Sequence, residues 1–406
     1  MTDPRDSLLL QRLPSDEPPE ERTTGVVPSQ FVRHMIEAKE ITALEEIDPA
    51  QVQPASLDLR LGHEAYRVVA SFLPGPNATV AERLERVTMH TLDLTKGAVL
   101  EKDCVYIIPL LEGVAFKKRI SALANPKSST GRLDVFARVI TDRGTEFDRV
   151  PERYHGPLYV EVCPRAFSVK VRKGSRLVQM RIKRGSPSLS DKALRELQRE
   201  VGIIGVGVDG TDLTDQQIEM FEGQIMAKPE NIRSGIAFTV DVRGDGPGSV
   251  VGYRARRNTG VIDMDRVKGY AAEDFWEEIH APNDGRGIVL DPHDFYILAS
   301  KEAVRIPAGY AAEMLAYDTL VGEFRVHYAG FFDPGFGDPE LGAAGTRAVL
   351  EVRVHEVPFM IEDGQVVGRL VYEPLIAKPD KLYGQGIGSS YQRQGLVLGK
   401  HFRRRA

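Results

Sequence analysis

Lys127-Ser128-Ser129-Thr130-Gly131-Arg132 sets hydroxyl donors, a glycine-flanked backbone and two cations side by side. Phosphate oxygens need this combination: several donors and delocalised positive charge, which a fork-shaped guanidinium supplies. Short strings of this kind also occur in ordinary loops, so the loop alone does not settle a function. It is not a Walker loop, which ends a glycine-rich run in Gly-Lys-Ser or Gly-Lys-Thr, and there is no dinucleotide fingerprint. Downstream lie Asp148 and then Glu161, a lone carboxylate in the apolar run Leu158-Tyr159-Val160-Glu161-Val162. Burial raises a glutamate pKa toward the range useful for moving protons. Seen alone, such a residue reads better as the solvent-facing side of an edge strand.

Glu161 is not alone. Glu351 stands in Ala348-Val349-Leu350-Glu351-Val352, 190 residues on. The same offset carries Leu100-Glu101-Lys102-Asp103-Cys104-Val105-Tyr106-Ile107-Ile108 to Leu290-Asp291-Pro292-His293-Asp294-Phe295-Tyr296-Ile297-Leu298, and Gly174 to Gly364. A looser echo links Ala55–Arg60 with Phe238–Arg243. Equal spacing at several places reads as a tandem duplication of one β-rich domain, and recurrence moves both glutamates toward function.

The elements that must hold these residues are short β-branched and aromatic runs split by Gly, Pro and Asp. In the first repeat they are Gln53–Leu61, Val105–Leu111, Leu133–Ile140, Leu158–Val162, Phe167–Val171 and Leu177–Ile182. In the second they are Val250–Ala255, Gly287–Leu290, Phe295–Ser300, Arg325–Phe332, Ala348–Val354 and Gln365–Tyr372. Strands at this spacing predict a barrel or sandwich. Ser29 is expected to cap a short helix, and Ser190–Val201 and Thr214–Phe221 read as two helices of a packing connector. The resulting division is a disordered leader (1–24), a first β domain (25–188), a helical linker (189–232), a second β domain (233–378) and a C-terminal segment (379–406). That last segment, Tyr383 to Gly395, mixes glycines with donor side chains, as either a flap over a ligand or a disordered tail would.

A chain of 406 residues fits two cores better than one. Its net charge of −5 gives no case for binding duplex nucleic acid. The two cysteines, Cys104 and Cys163, have neither disulfide-framework nor zinc spacing, and a reducing cytoplasm is the natural compartment. No apolar run is long enough to span a membrane, and the start lacks signal-peptide order. His155, His280, His293, His327 and His355 are scattered, and the zinc deaminase pattern of His-x-Glu followed by Pro-Cys-x-x-Cys is absent.

Taken together, these residues resemble the dCTP deaminase family, whose fold is shared with the trimeric dUTPases. Lys127, Ser128, Ser129 and Arg132 stand at the family's Arg-Ser-Ser-x-x-Arg, Asp148 at its sugar-reading Asp and Glu161 at its catalytic Glu. The second repeat matches later motifs through Ala329, Asp333-Pro334-Gly335-Phe336, Glu351 and Val371-Tyr372-Glu373-Pro374-Leu375. Tyr383, Tyr391 and Gln394 fall at the spacing of the family's triphosphate-binding tail. The sequence departs from the pattern at Lys127, at Thr141 where the pocket Ala belongs, at Tyr317-Asp318-Thr319 where the second repeat has no Ser-Ser loop, and at Ser390 in place of the tail lysine.

The resemblance implies two tandem dUTPase-like β-barrel (distorted jelly-roll) domains, mostly β, with short helices and a helical linker. It implies hydrolytic deamination of dCTP to dUTP without zinc. Glu351 or Glu161 would shuttle protons, with Ser128 and Arg132 beside it. Lys127, Ser129, Asp148, Ala329, Asp333, Val349, Tyr383, Tyr391 and Gln394 would bind substrate. Mg2+ would accompany the triphosphate. In the family one subunit gives the phosphate loop and its neighbour the Glu, so the expected site joins the first repeat's loop to Glu351; a site built from the first repeat with Glu161 is the alternative. A homo-oligomer, trimer or dimer, is expected. A dUTP pyrophosphatase or bifunctional enzyme, and a nucleotide-binding regulator without turnover, are the competing functions.

Overall fold

The computed structural model describes residues 22–206, 235–283, 287–316, 324–326, 330–338, 345–354, 356–384 and 395–403. The expected helix Thr214–Phe221 and the residues Ala329, Tyr391 and Gln394 lie outside them, as does most of the leader.

The chain is mostly β. In its first half, one sheet runs Gly25–Val26, Val178–Arg184, Ile120–Pro126, Arg149–Val150, with Leu57–Leu59 also pairing to Val178–Arg184. Another runs Thr88–Asp93, Glu64–Val68, Tyr106–Ala115, His155–Pro164, Val135–Thr141, with Ile41–Ala43 added. The second half repeats the plan: Ile236–Thr239, Val366–Pro374, Tyr310–Ala316 and Phe331–Phe332 form one sheet, and Trp276–His280, Val250–Ala255, Phe295–Val304, Thr346–Val354 and Phe324–Val326 the other.

The duplication is visible at the level of register. Glu161 lies opposite Ile107 on its neighbouring strand, and Glu351 lies opposite Ile297, each residue displaced by the same 190. Met180 faces Ala124 as Leu370 faces Met314. The Tyr106 hydroxyl accepts the Glu101 amide at 3.1 Å, and the Tyr296 hydroxyl accepts the Asp291 amide at 2.7 Å. Gly174 and Gly364 both turn with positive φ, +84° and +80°, where a side chain would be strained.

The two repeats share a core. One apolar cluster joins Tyr106, Ile108, Val160 and Phe167 to Phe275, Trp276, Phe295, Val349 and the tail residues Leu398 and Phe402. Phe167 stands edge-on to Phe275 and Trp276, with centroids 5.8 and 5.3 Å apart, a geometry worth about 0.5–1.5 kcal/mol per pair beyond burial.

Several local expectations change. Ser29 is the first residue of the Ser29–Glu37 helix rather than its cap; Pro28, extended and without an amide proton, precedes the helix, and the Ser29 hydroxyl is taken by Asp380. Ser190 does cap Asp191–Val201, accepting the Ala193 amide at 3.2 Å. The expected strand Arg325–Phe332 is divided into Phe324–Val326 and Phe331–Phe332. Of the C-terminal segment, residues 385–394, which hold most of the expected flap, lie outside the described residues, and 395–403 pack against the body of the protein. Leu398 and Phe402 enter the shared core, His401 is buried with its ring nitrogen 3.0 Å from the Met264 carbonyl, and the backbone pairs with Lys268–Tyr270.

Candidate active site between the repeats

Strand Ile120–Pro126 delivers the phosphate-type loop. The chain then makes a single helical turn, Ser128–Gly131. This turn is bolted to the strand behind it: the Lys127 amide donates to the Leu177 carbonyl at 2.9 Å and the Thr130 hydroxyl to the same oxygen at 2.8 Å. Thr130 and Ser129 are buried, while Ser128 and Lys127 are partly open. Lys127 pairs with buried Asp58, the residue that interrupts the apolar pattern of its strand.

Arg132 ends the turn and points across the repeat boundary. Its Nε lies 4.0 Å from Oε1 of Glu351, with both side chains almost fully buried. Its Nη1 donates to the Val397 carbonyl at 2.9 Å, so the tail anchor also holds it. Strand alternation explains why Glu351 meets Arg132. Ala348, Leu350, Val352 and Val354 fill the second repeat's own core, whereas Val349 packs into the shared core, so Val349, Glu351 and Arg353 face the first repeat. Burial pushes the Glu351 carboxyl up to about 7, against the lowering influence of Arg132.

Glu161 has the same register and a different environment. Val160 and Val162 face the shared core, while Tyr159 joins a separate cluster with Val68, Val80 and Ile140 of the first repeat. Glu161, on the Tyr159 side, is held by its strand neighbour Arg138, whose Nη2 donates to Oε1 at 2.5 Å. Arg138 in turn lies over the Phe147 ring, 3.7 Å from its centroid. Asp148 belongs to this group: its Oδ1 accepts the Val139 amide at 2.8 Å, its backbone is left-handed, and burial pushes it up to about 7. The structure therefore sorts the sequence candidates into two groups, Arg132 with Glu351 and Asp148 with Glu161.

Asp333 opens the Asp-Pro-Gly turn, where Gly335 takes a φ of +91°. Its carboxylate accepts from Arg181 Nη2 at 3.1 Å. Tyr383 docks on the same turn, its amide donating to the Pro334 carbonyl at 2.8 Å and its ring 5.6 Å from that of Phe336. Val349 is buried beneath Glu351 in the shared core. Sequence reasoning misses Arg181, Arg138, Asp134 and Arg353. Arg181 shares its strand Val178–Arg184 with Lys183 and Arg184, so its sequence does not single it out as the buried cation.

Among the described residues no three His, Cys, Asp or Glu side chains group closely enough to hold a metal ion by themselves. No helix among them is long and apolar enough to cross a membrane.

Two family profiles match the chain: the 2'-deoxycytidine 5'-triphosphate deaminase N-terminal domain over residues 23–186 and the C-terminal domain of the same enzyme over residues 212–402. The crystal structure of 2'-deoxycytidine 5'-triphosphate deaminase from Agrobacterium tumefaciens is similar with a TM-score of 0.77 at 48% identity, covering 88% of this chain and 100% of that one. The "dCTP deaminase, dUMP-forming" of Halobacterium salinarum is 31% identical over 134 residues, 32% of this chain and 61% of the relative. The protein of the same name from Mycolicibacterium paratuberculosis is 27% identical over 184 residues, 44% of this chain and 88% of the relative.

Proposed function

The chain belongs to the 2'-deoxycytidine 5'-triphosphate deaminase family, and from that premise we propose that it hydrolyses dCTP to dUTP and ammonia at the site between its repeats. The observation that carries this reading is the meeting of Arg132, from the Ser-Ser loop, with a buried Glu351 whose proton affinity lies near neutrality.

Glu351 takes a proton from a water molecule as the water oxygen adds to C4 of cytosine, and passes it to N3. It then delivers a proton to the departing amino group, so ammonia leaves and the C4 carbonyl forms. Such a shuttle contributes about 100- to 10,000-fold. Ser128, partly open at the head of the turn, holds that water or a phosphate oxygen. Lys127, Ser129 and Arg132 grip the triphosphate, with Tyr383, Tyr391 and Gln394 closing from the tail. Asp333, fixed by Arg181, borders the sugar side. The triphosphate held by Lys127, Ser129 and Arg132 would carry Mg2+, which would offset its charge. Arg132 and Glu351 meet within one chain, and the chain is proposed to form a homo-oligomer, trimer or dimer. The free thiols Cys104 and Cys163 support a cytoplasmic setting.

The test is a nucleotide panel read by ammonia release and product chromatography. Ammonia from dCTP with dUTP as product supports the reading, and an inert wild-type protein that still binds dCTP sinks it in favour of a regulator. The dUMP-forming names of the relatives favour a second reading, in which dUTP is further cleaved to dUMP and pyrophosphate; pyrophosphate release decides between the two.

The pH dependence follows from Glu351. The base must be ionised, and burial raises its proton affinity to about 7. Activity as kcat/KM, which reports free-enzyme ionisations, is expected to rise with pH through an acid limb centred near 7. A limb near the ordinary glutamate value of 4.5 would place the working carboxylate elsewhere.

A further inference from the structure

Two residues beyond Arg132 on the loop stands Asp134, and two residues beyond Glu351 on the strand stands Arg353. They pair with each other across the same boundary. The two contacts form a crossed ladder: cation then anion on the loop, anion then cation on the strand. Both members of the second rung are almost entirely buried. Each is also tied to its own side: the Asp134 carbonyl accepts the Arg165 amide at 2.8 Å, and Arg353 Nη1 donates to the His293 carbonyl. Asp134 takes a left-handed backbone, φ +55°, which Asp and Asn tolerate and most residues do not.

The rung belongs to one copy of the site. At the position 190 residues before Arg353 stands Cys163, which cannot supply the cation. The second glutamate, Glu161, has no such neighbour on its strand and is held by Arg138 of its own repeat. The rung is thus confined to the place where the first repeat's loop meets the second repeat's glutamate.

We propose that Asp134 and Arg353 are positioning residues, a buried ionic clamp that sets the loop of the first repeat in register with the Glu351 strand and so holds Arg132 at its working distance. The inference rests on the reading of Glu351 as the proton carrier. The physical reason is directional: a paired, buried rung fixes a sliding contact because moving one member separates two buried opposite charges. A displacement of about 1 Å at such a site costs on the order of 100-fold in rate.

The variants are Arg353→Gln, Asp134→Asn and the double variant Asp134→Asn/Arg353→Gln, whose neutral amides can still bond across the gap without an unpaired charge. Asn also suits the left-handed backbone. The first readout is the titration of the Glu351 carboxyl carbon by NMR, which needs no turnover. In Arg353→Gln, the midpoint is expected to move to higher pH as Arg132 drifts away, with kcat falling about 10- to 100-fold and KM changing little. The double variant is expected to recover most of both. A folded Arg353→Gln protein whose Glu351 midpoint and kcat match wild type overturns the clamp, and so does a loss of rate that the double variant does not relieve. If the single variants fail to fold, the double variant decides by the same two readouts. A wild-type protein that releases no ammonia from any cytosine nucleotide defeats the proposed function instead, while the carboxyl titration still reports on the clamp.

Discussion

Glu351→Gln is expected to lower ammonia release from dCTP by about 100- to 10,000-fold, the range a positioned acid/base group supplies, with little change in KM. Glutamine keeps the shape and one carbonyl oxygen but cannot carry the proton from water to N3 and on to the leaving amine. Glu161→Gln is the matched control, because the same change falls at the same register of the other repeat. Its expected effect is on stability: Arg138 loses its charged partner at 2.5 Å, whereas Arg132 and the loop are untouched. Steady-state kinetics and thermal melting of both variants, side by side, separate the roles. Equal loss of rate in both, or loss only in Glu161→Gln, would move the chemistry to the first repeat.

That control is possible because the duplication is legible in the amino-acid order itself. A fixed offset requires that Tyr106 and Tyr296, and Glu161 and Glu351, occupy equal places, and the strand registers agree to the residue. Alternation of apolar residues also locates most strands within a few positions. Burial of both glutamates is legible for the same reason, since each interrupts an apolar run. Their differing partners are not. Which face of a strand meets another repeat depends on packing between segments far apart in the chain, and Val349 beside Glu351 looks no different in sequence from Tyr159 beside Glu161. The Asp134–Arg353 rung is invisible on the same ground, because its members are 219 positions apart and neither belongs to a motif. The seat of residues 395–403 is not legible either, because Val397, Leu398, His401 and Phe402 lie against Arg132 and the shared core through contacts with segments far away in sequence. Ser29 shows the limit of capping rules: it lies inside the first turn, with Pro28 at the cap position, and its hydroxyl donates to Asp380 instead.

The largest stability effect is expected at Arg181. This guanidinium is fully buried, yet it sits on a first-repeat strand and serves the second repeat throughout: Nη1 donates to the Ala312 carbonyl at 2.7 Å, Nη2 to the Phe332 carbonyl and to Asp333 at 3.1 Å each, and the group lies 4.1 Å from the centre of the Phe331 ring. Methionine fills much of the volume but leaves two carbonyls and a carboxylate without a donor. Removing one member of a buried pair costs about 3–5 kcal/mol, so Arg181→Met should lower the denaturation midpoint sharply. The sign of the pH dependence distinguishes this from simple loss of packing. Asp333 already has a proton affinity raised by burial, with Arg181 as the main opposing influence. A carboxyl that holds its proton more tightly folded than unfolded makes stability fall as pH rises from its unfolded pKa to its folded one. Without Arg181 the folded value climbs further and the window widens. The deficit of Arg181→Met should therefore be larger at about pH 8 than at about pH 5, and Arg181→Met/Asp333→Asn should regain part of it at the higher pH. A deficit independent of pH, unrelieved by the second substitution, would mean that Arg181 acts through its bulk and not through its charge on Asp333.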